Sequence, residues 1–168
     1  MARRLELFAD KENGDAPAFS TNFDNYGVIL YYAFTVNKEK AILLYKAMVN
    51  KYHYALGYDL PLNGLSDNNT EVCIPIEQIP DVMSFITNDI LPSLYVLPLD
   101  LNMIDEWNTG EDLETFLMNQ GSFFDTFNID GIVVDNYTVD YFIRIFNKLF
   151  HFFEQVFFCG TSYKVEIA

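Results

Sequence analysis

The sequence predicts an α+β fold in a single compact domain over residues 1–168, with about three helices packed on a small mixed or antiparallel sheet. Three observations predict it. The chain has 168 residues, enough for one ordinary domain and too few for two. Apolar residues make up 51% and aromatics 17% of it, which supplies a real core and excludes wholesale disorder. Helical periodicity in the interior of the chain alternates with β-rich segments towards both ends.

The elements follow in order. Residues 4–8 read as a first strand, and the polar stretch Asp10 to Asn25, with a Gly and a Pro, reads as a loop. Tyr26 to Val36 (YGVILYYAFTV) is rich in β-branched and aromatic residues and reads as a central strand. Asn37 is placed to cap a helix over about 38–56, in which Ala41, Leu44, Tyr45, Met48, Tyr52 and Ala55 form an apolar stripe closed by Gly57. A turn-rich loop, Asp59 to Asn69, leads to a short strand at Glu71 to Ile76. Pro80 opens a helix that Pro92 stops at about Leu91, and Leu94 to Leu99 reads as another short strand. Thr109 with Asp112 makes a variant capping box for a helix at about 110–119. Asp130-Gly131 marks a hairpin within Phe123 to Val134.

The last long element, about 138–158, is apolar enough to raise the question of a membrane span. Asp140, Arg144, Lys148, His151 and Gln155 recur every three or four residues and form one polar stripe. A span would not carry such a stripe through its centre without a partner bundle, so the segment reads as an amphipathic helix with a Phe-heavy inner face. Gly160 ends it, and Ser162 to Ile167 reads as the final strand. No apolar run of signal-peptide length follows Met1 to Phe8, so a cytoplasmic location is expected, the host cytoplasm if the chain is phage-encoded.

Charge is the feature that points towards function. Ten Lys and Arg stand against 24 Asp and Glu, a net charge of −14. That excludes a protein whose main task is gripping phosphate backbones, and no direct nucleic-acid binding is expected. The 92 residues from Tyr52 to Ile143 contain no Lys or Arg and sixteen carboxylates, whereas each flank sums to +1. Solubility accounts for an anionic surface but does not require cations to be absent from half the chain. A surface built to meet a basic partner does.

The motifs of common chemistries are missing. There is no phosphate-binding P-loop, no G-x-G-x-x-G and no G-x-S-x-G. His53 and His151 both fall in expected helices among aromatics, where a structural role is the ordinary one. Cys73 and Cys159 read as buried structural thiols, and two cysteines are no disulfide framework. Setting Gly131 at position six of a calcium loop puts Thr126 and Tyr137 where acidic ligands belong, so that motif fails. No cofactor and no metal site is expected.

A compact domain of this length spans roughly 40 Å, over which a DNA duplex shows on the order of 24 phosphates. Sixteen carboxylates facing one way approach that density. In composition and charge pattern the chain resembles the small phage and plasmid proteins that block restriction or CRISPR effectors by imitating nucleic acid. The resemblance implies a non-enzymatic inhibitor of anti-CRISPR or anti-restriction type, whose acidic face occludes the basic groove of a nucleic-acid-binding enzyme. The expected contacts are Asp100, Asp105, Glu106, Glu111, Asp112 and Glu114, with Trp107 among them and Asp125 and Asp130 beyond. An immunity protein neutralising a basic toxin fits the same charge pattern. A homo-oligomeric assembly protein and a carboxylate- and metal-dependent enzyme are the alternatives of other classes, and monomer and dimer both stay open.

Overall fold

The computed structural model describes residues 4–9, 17–57, 61, 63, 70–103 and 137–167, with Phe23, Asp24 and Gly57 described in backbone only. It is a mixed α+β body. Strands β1 (Arg4–Ala9), β2 (Ala18–Asn22) and β3 (Tyr163–Ile167) form an antiparallel sheet in the order β2-β1-β3. The central strand alternates by the period of two: Leu5, Leu7 and Ala9 are buried, while Arg4 and Glu6 face solvent. Leu5 lies opposite Thr21 and Ile167, and Leu7 opposite Phe19 and Val165, so the inner face of the three strands is an apolar layer interrupted by the buried Thr21. The amide of Val165 donates to the Thr70 carbonyl, and Glu71 bridges Lys164, which covers part of the β3 edge.

The first correction falls on Tyr26 to Val36, which is helix rather than strand. Helix α1 runs Phe23–Val36, and every residue from 26 to 34 is buried. A run that is apolar on all sides has no periodicity to separate a buried helix from a buried strand. The cap decides it: Asn22 is extended, and its Oδ1 accepts from the Asn25 amide at 2.7 Å. Consequently the segment 10–25 is not all loop, since it contains β2 and the first turn of α1.

Two helices replace the one expected at 38–56. Asn37 caps α2 (Lys38–Ala47) by accepting from the Lys40 amide, as its sequence position suggests. The chain then breaks at 48–50, and α3 spans Lys51–Gly57. The break belongs to Asn50, a buried polar residue that must find partners. Its Nδ2 donates to the Val165 carbonyl, and its Oδ1 accepts from the His53 amide and lies 2.9 Å from the His53 ring. His53 is therefore part of a helix start, a structural role.

The residues Glu71 to Ile76 contribute only bridge pairings, at Glu71 and Val72, before a 3₁₀ turn at Ile76–Gln78. The next helix passes Pro92 instead of stopping there: α4 (Ile79–Ser84) leads into a π-helical segment (Phe85–Ile90) and then α5 (Leu91–Tyr95). A proline clashes with the carbonyl four residues before it. The wide π turns change that geometry, with the Leu91 amide bonding to the Ile86 carbonyl five residues back. Leu94 and Tyr95 are thus helical, and 96–100 is turn; the expected strand at Leu94 to Leu99 does not form.

The two final elements match their expectations closely. Helix α6 (Val139–Cys159) is capped by Thr138, which accepts from the Tyr141 amide, and is ended by Gly160 in the left-handed region at φ 63°. Phe142, Ile145, Phe146, Leu149, Phe152, Phe153 and Val156 are buried along one stripe against α4, α5 and the sheet. The rings of Phe152 and Phe153 meet the β3 residue Tyr163 edge-on, tying the helix to the sheet. No described helix is long and apolar enough to cross a membrane. The helix expected at 110–119 and the hairpin of 123–134 lie outside the described residues.

Candidate functional site

Of the expected contact residues only Asp100 is described. It is exposed in the turn that follows α5, beside three apolar residues that are exposed too: Tyr95 at 60%, Val96 at 82% and Leu99 at 58%. Asp105, Glu106, Trp107, Glu111, Asp112, Glu114, Asp125 and Asp130 lie outside the described residues.

Six carboxylates of the cation-free segment are described, and cations from its flanks neutralise three of them. Lys40 meets Asp89 at 2.6 Å, Lys51 meets Glu71 at 2.8 Å, and Arg144 meets Asp140 at 3.1 Å one helical turn away. Glu77, Asp81 and Asp100 have no ion pair among the described residues, and all three are exposed. The described body is therefore close to balanced, with eight Lys and Arg against eleven Asp and Glu, a net of −3. The remaining −11 belongs to positions outside it, and residues 104–136 hold eight carboxylates and no cation.

The polar stripe of α6 has a wall opposite it that sequence reasoning missed. Between α6 and β2 lies a cleft of about 640 Å³. Its floor is apolar, made by the buried side chains of Phe19, Ile145 and Phe152. Arg144, Lys148 and His151 reach it from α6, and Arg4 from β1. No carboxylate is among its described lining residues.

Its neutral polar groups are held by their neighbours. Ser20 Oγ accepts from Arg4 Nη2 at 2.6 Å. Asn22 Oδ1 is occupied as the cap of α1, and Asn25 Oδ1 accepts from the hydroxyl of buried Tyr137 at 2.7 Å. The Ser20 proton and the two amide NH₂ groups remain available as donors, and Thr21 and Gln155 add further polar groups to the lining. Burial pushes the Tyr141 phenol above its ordinary range, with Arg144 partly offsetting it, so this lining hydroxyl also stays protonated. One sequence signal was available, Asn22 as a helix cap, which marks the start of α1 but not its place beside α6.

The other titratable candidates are quiet. Burial pushes the Cys73 thiol up to about 11, a charge form unsuited to nucleophilic work. Cys159 is exposed, contrary to its reading as a buried thiol, because α6 ends there and turns away from the core. No group of three or more His, Cys, Asp or Glu that could hold a metal occurs among the described residues. Compared with known proteins, the chain matches no family model, no curated protein and no solved structure.

Proposed function

We propose that the protein is a non-enzymatic, cytoplasmic inhibitor that binds a basic, nucleic-acid-binding enzyme through the acidic positions between Asp100 and Asp130, in the manner of a nucleic-acid mimic. One observation carries the proposal: the protein's negative charge is partitioned. The described body balances its charges to −3, while residues 104–136 hold eight carboxylates without a single Lys or Arg. Lys40, Lys51 and Arg144 are engaged with Asp89, Glu71 and Asp140, which removes those three carboxylates from the proposed contact.

The exposed turn at its start supports the same reading. Tyr95, Val96 and Leu99 flank Asp100, and apolar anchors beside a charge are what a desolvated contact uses to slow dissociation. The mechanism is competitive occlusion of a basic groove, with long-range attraction setting a fast, salt-sensitive association rate.

The test is capture from bacterial lysate on the immobilised protein. A nucleic-acid-processing enzyme should be retained at about 0.1 M salt and released near 1 M, where the Debye length falls to about 3 Å. Changing Asp105, Glu106, Glu111 and Asp112 together to Lys should abolish that retention with the circular dichroism unaltered. Equal retention by the variant would sink the proposal, as would a gel shift of DNA by the native chain at physiological salt.

A further inference from the structure

We infer that the cleft between β2 and α6 binds a small phosphorylated ligand, with Arg4, Arg144 and Lys148 holding the phosphate and the Phe19–Phe152 floor taking the apolar part. None of these residues belongs to the acidic contact proposed above, so the two can fail separately.

Size comes first. The cleft of about 640 Å³ falls within the roughly 300–1,000 Å³ typical of small-molecule sites. Its lining is mostly polar, over an apolar floor of Phe19, Ile145 and Phe152.

Charge is the second observation. Two guanidinium groups, one ammonium and one imidazole gather in a protein whose net charge is −14, where carboxylates are the abundant neutralisers. Like charges held together destabilise the compact state. Asp140 answers Arg144, and Glu154 lies 3.6 Å from His151, but both along α6 itself and neither as a wall of the cleft. Lys148 has no ion pair among the described residues.

The hydrogen bonds are the third. Arg4, the α1 backbone and Tyr137 donate to the oxygens of Ser20, Asn22 and Asn25, so the Ser20 proton and two amide NH₂ groups are still available to donate. Asn22 and Asn25 also belong to the first turn of a 14-residue helix, the positive end of its dipole. The lining side chains that can donate come from β1, β2, the start of α1 and the face of α6. A phosphate has three terminal oxygens to meet them from different sides, whereas a carboxylate offers two in one plane.

The test is isothermal titration of the full chain with adenosine monophosphate, inorganic phosphate and adenosine. Saturable binding of the monophosphate is expected, with inorganic phosphate weaker for want of the floor and adenosine weaker still. Arg144→Gln with Lys148→Gln, both at exposed positions of α6, should weaken the monophosphate by about tenfold or more, the scale of one lost charge-assisted hydrogen bond. Ser20→Ala should weaken it by a smaller factor, and Lys38→Gln on α2 should leave it unchanged. The inference is overturned if neither phosphate compound binds, or if the double variant binds as the native chain does. Equal weakening by Lys38→Gln would reduce the effect to bulk charge, and tighter binding of a hexaglutamate peptide would refute the ligand class.

Discussion

The two sides of the described body treat their cations differently. On the side of α2 and α3, Lys40 and Lys51 each meet one carboxylate, at 2.6 and 2.8 Å, and Lys46 lies 5.8 Å from the centre of the Tyr54 ring. On the side of α6 and β2, Arg4, Arg144, Lys148 and His151 line one cleft with no carboxylate in its described walls; Asp140 and Glu154 meet Arg144 and His151 along α6 itself, and Lys148 has no ion pair among the described residues. Paired charges at an exposed surface contribute little either way. Converging like charges oppose the fold, so their placement needs a reason other than stability.

The strongest way to sharpen this contrast is at the cleft floor. Phe152 is buried under the cleft and meets Tyr163 edge-on, so Phe152→Ala should cost about 3–5 kcal/mol in chemical denaturation. A loss below about 1 kcal/mol would mean that the floor is not part of the packed core.

The next effect belongs to the paired side and is read in pH. Cys73 sits near Lys51, Lys46 and Glu71, and burial outweighs the two lysines in raising its thiol from 9.0 to about 11. Above pH 9 the unfolded chain ionises this group and the folded chain does not, so folding then holds the extra proton. Stability should therefore fall as pH rises from 9 to about 11, and Cys73→Ala should flatten that part of the profile. The buried phenol of Tyr163, raised by burial and donating to the Ala47 carbonyl, continues the same trend at higher pH. A denaturation midpoint constant across that range would refute the burial of both.

The smaller effects separate the two kinds of cation directly. Lys40→Ala removes an ion pair that is partly exposed on both sides, and should cost about 0.2–1 kcal/mol, less at high salt. Lys148→Met removes a cation from the cleft that has no described ion pair, and should change stability by under about 0.5 kcal/mol. At low salt its sign should favour folding. If Lys148→Met cost more than Lys40→Ala, the contrast between the two sides would be wrong.

How much of this was legible in the sequence depends on the element. Helix α6 could be read because its polar stripe and its phenylalanines separate cleanly at a helical period, between a Thr cap and a terminal Gly. Strand β3 could be read because Ser162 to Ile167 follows a helix end with β-prone residues. Helix α1 could not, since a segment buried on every side has no pattern to betray its period. The passage through Pro92 was hidden for another reason: a π segment is a local repacking that no residue type announces. Arg4, Ser20, Asn22 and Asn25 come from a strand and from a stretch read as loop, so nothing in their own positions placed them beside α6.

The sequence by itself determined the α+β class, the amphipathic face of α6 and the charge partition, because composition, period and net charge are properties of the chain before it folds. Tertiary structure alone decided that Asp89 and Glu71 find cations, and that the basic stripe of α6 faces the polar side chains of β2 and the start of α1 across a cleft. Those outcomes depend on which distant residues packing brings within a few ångströms, a distance over which both charge pairing and hydrogen-bond direction are set.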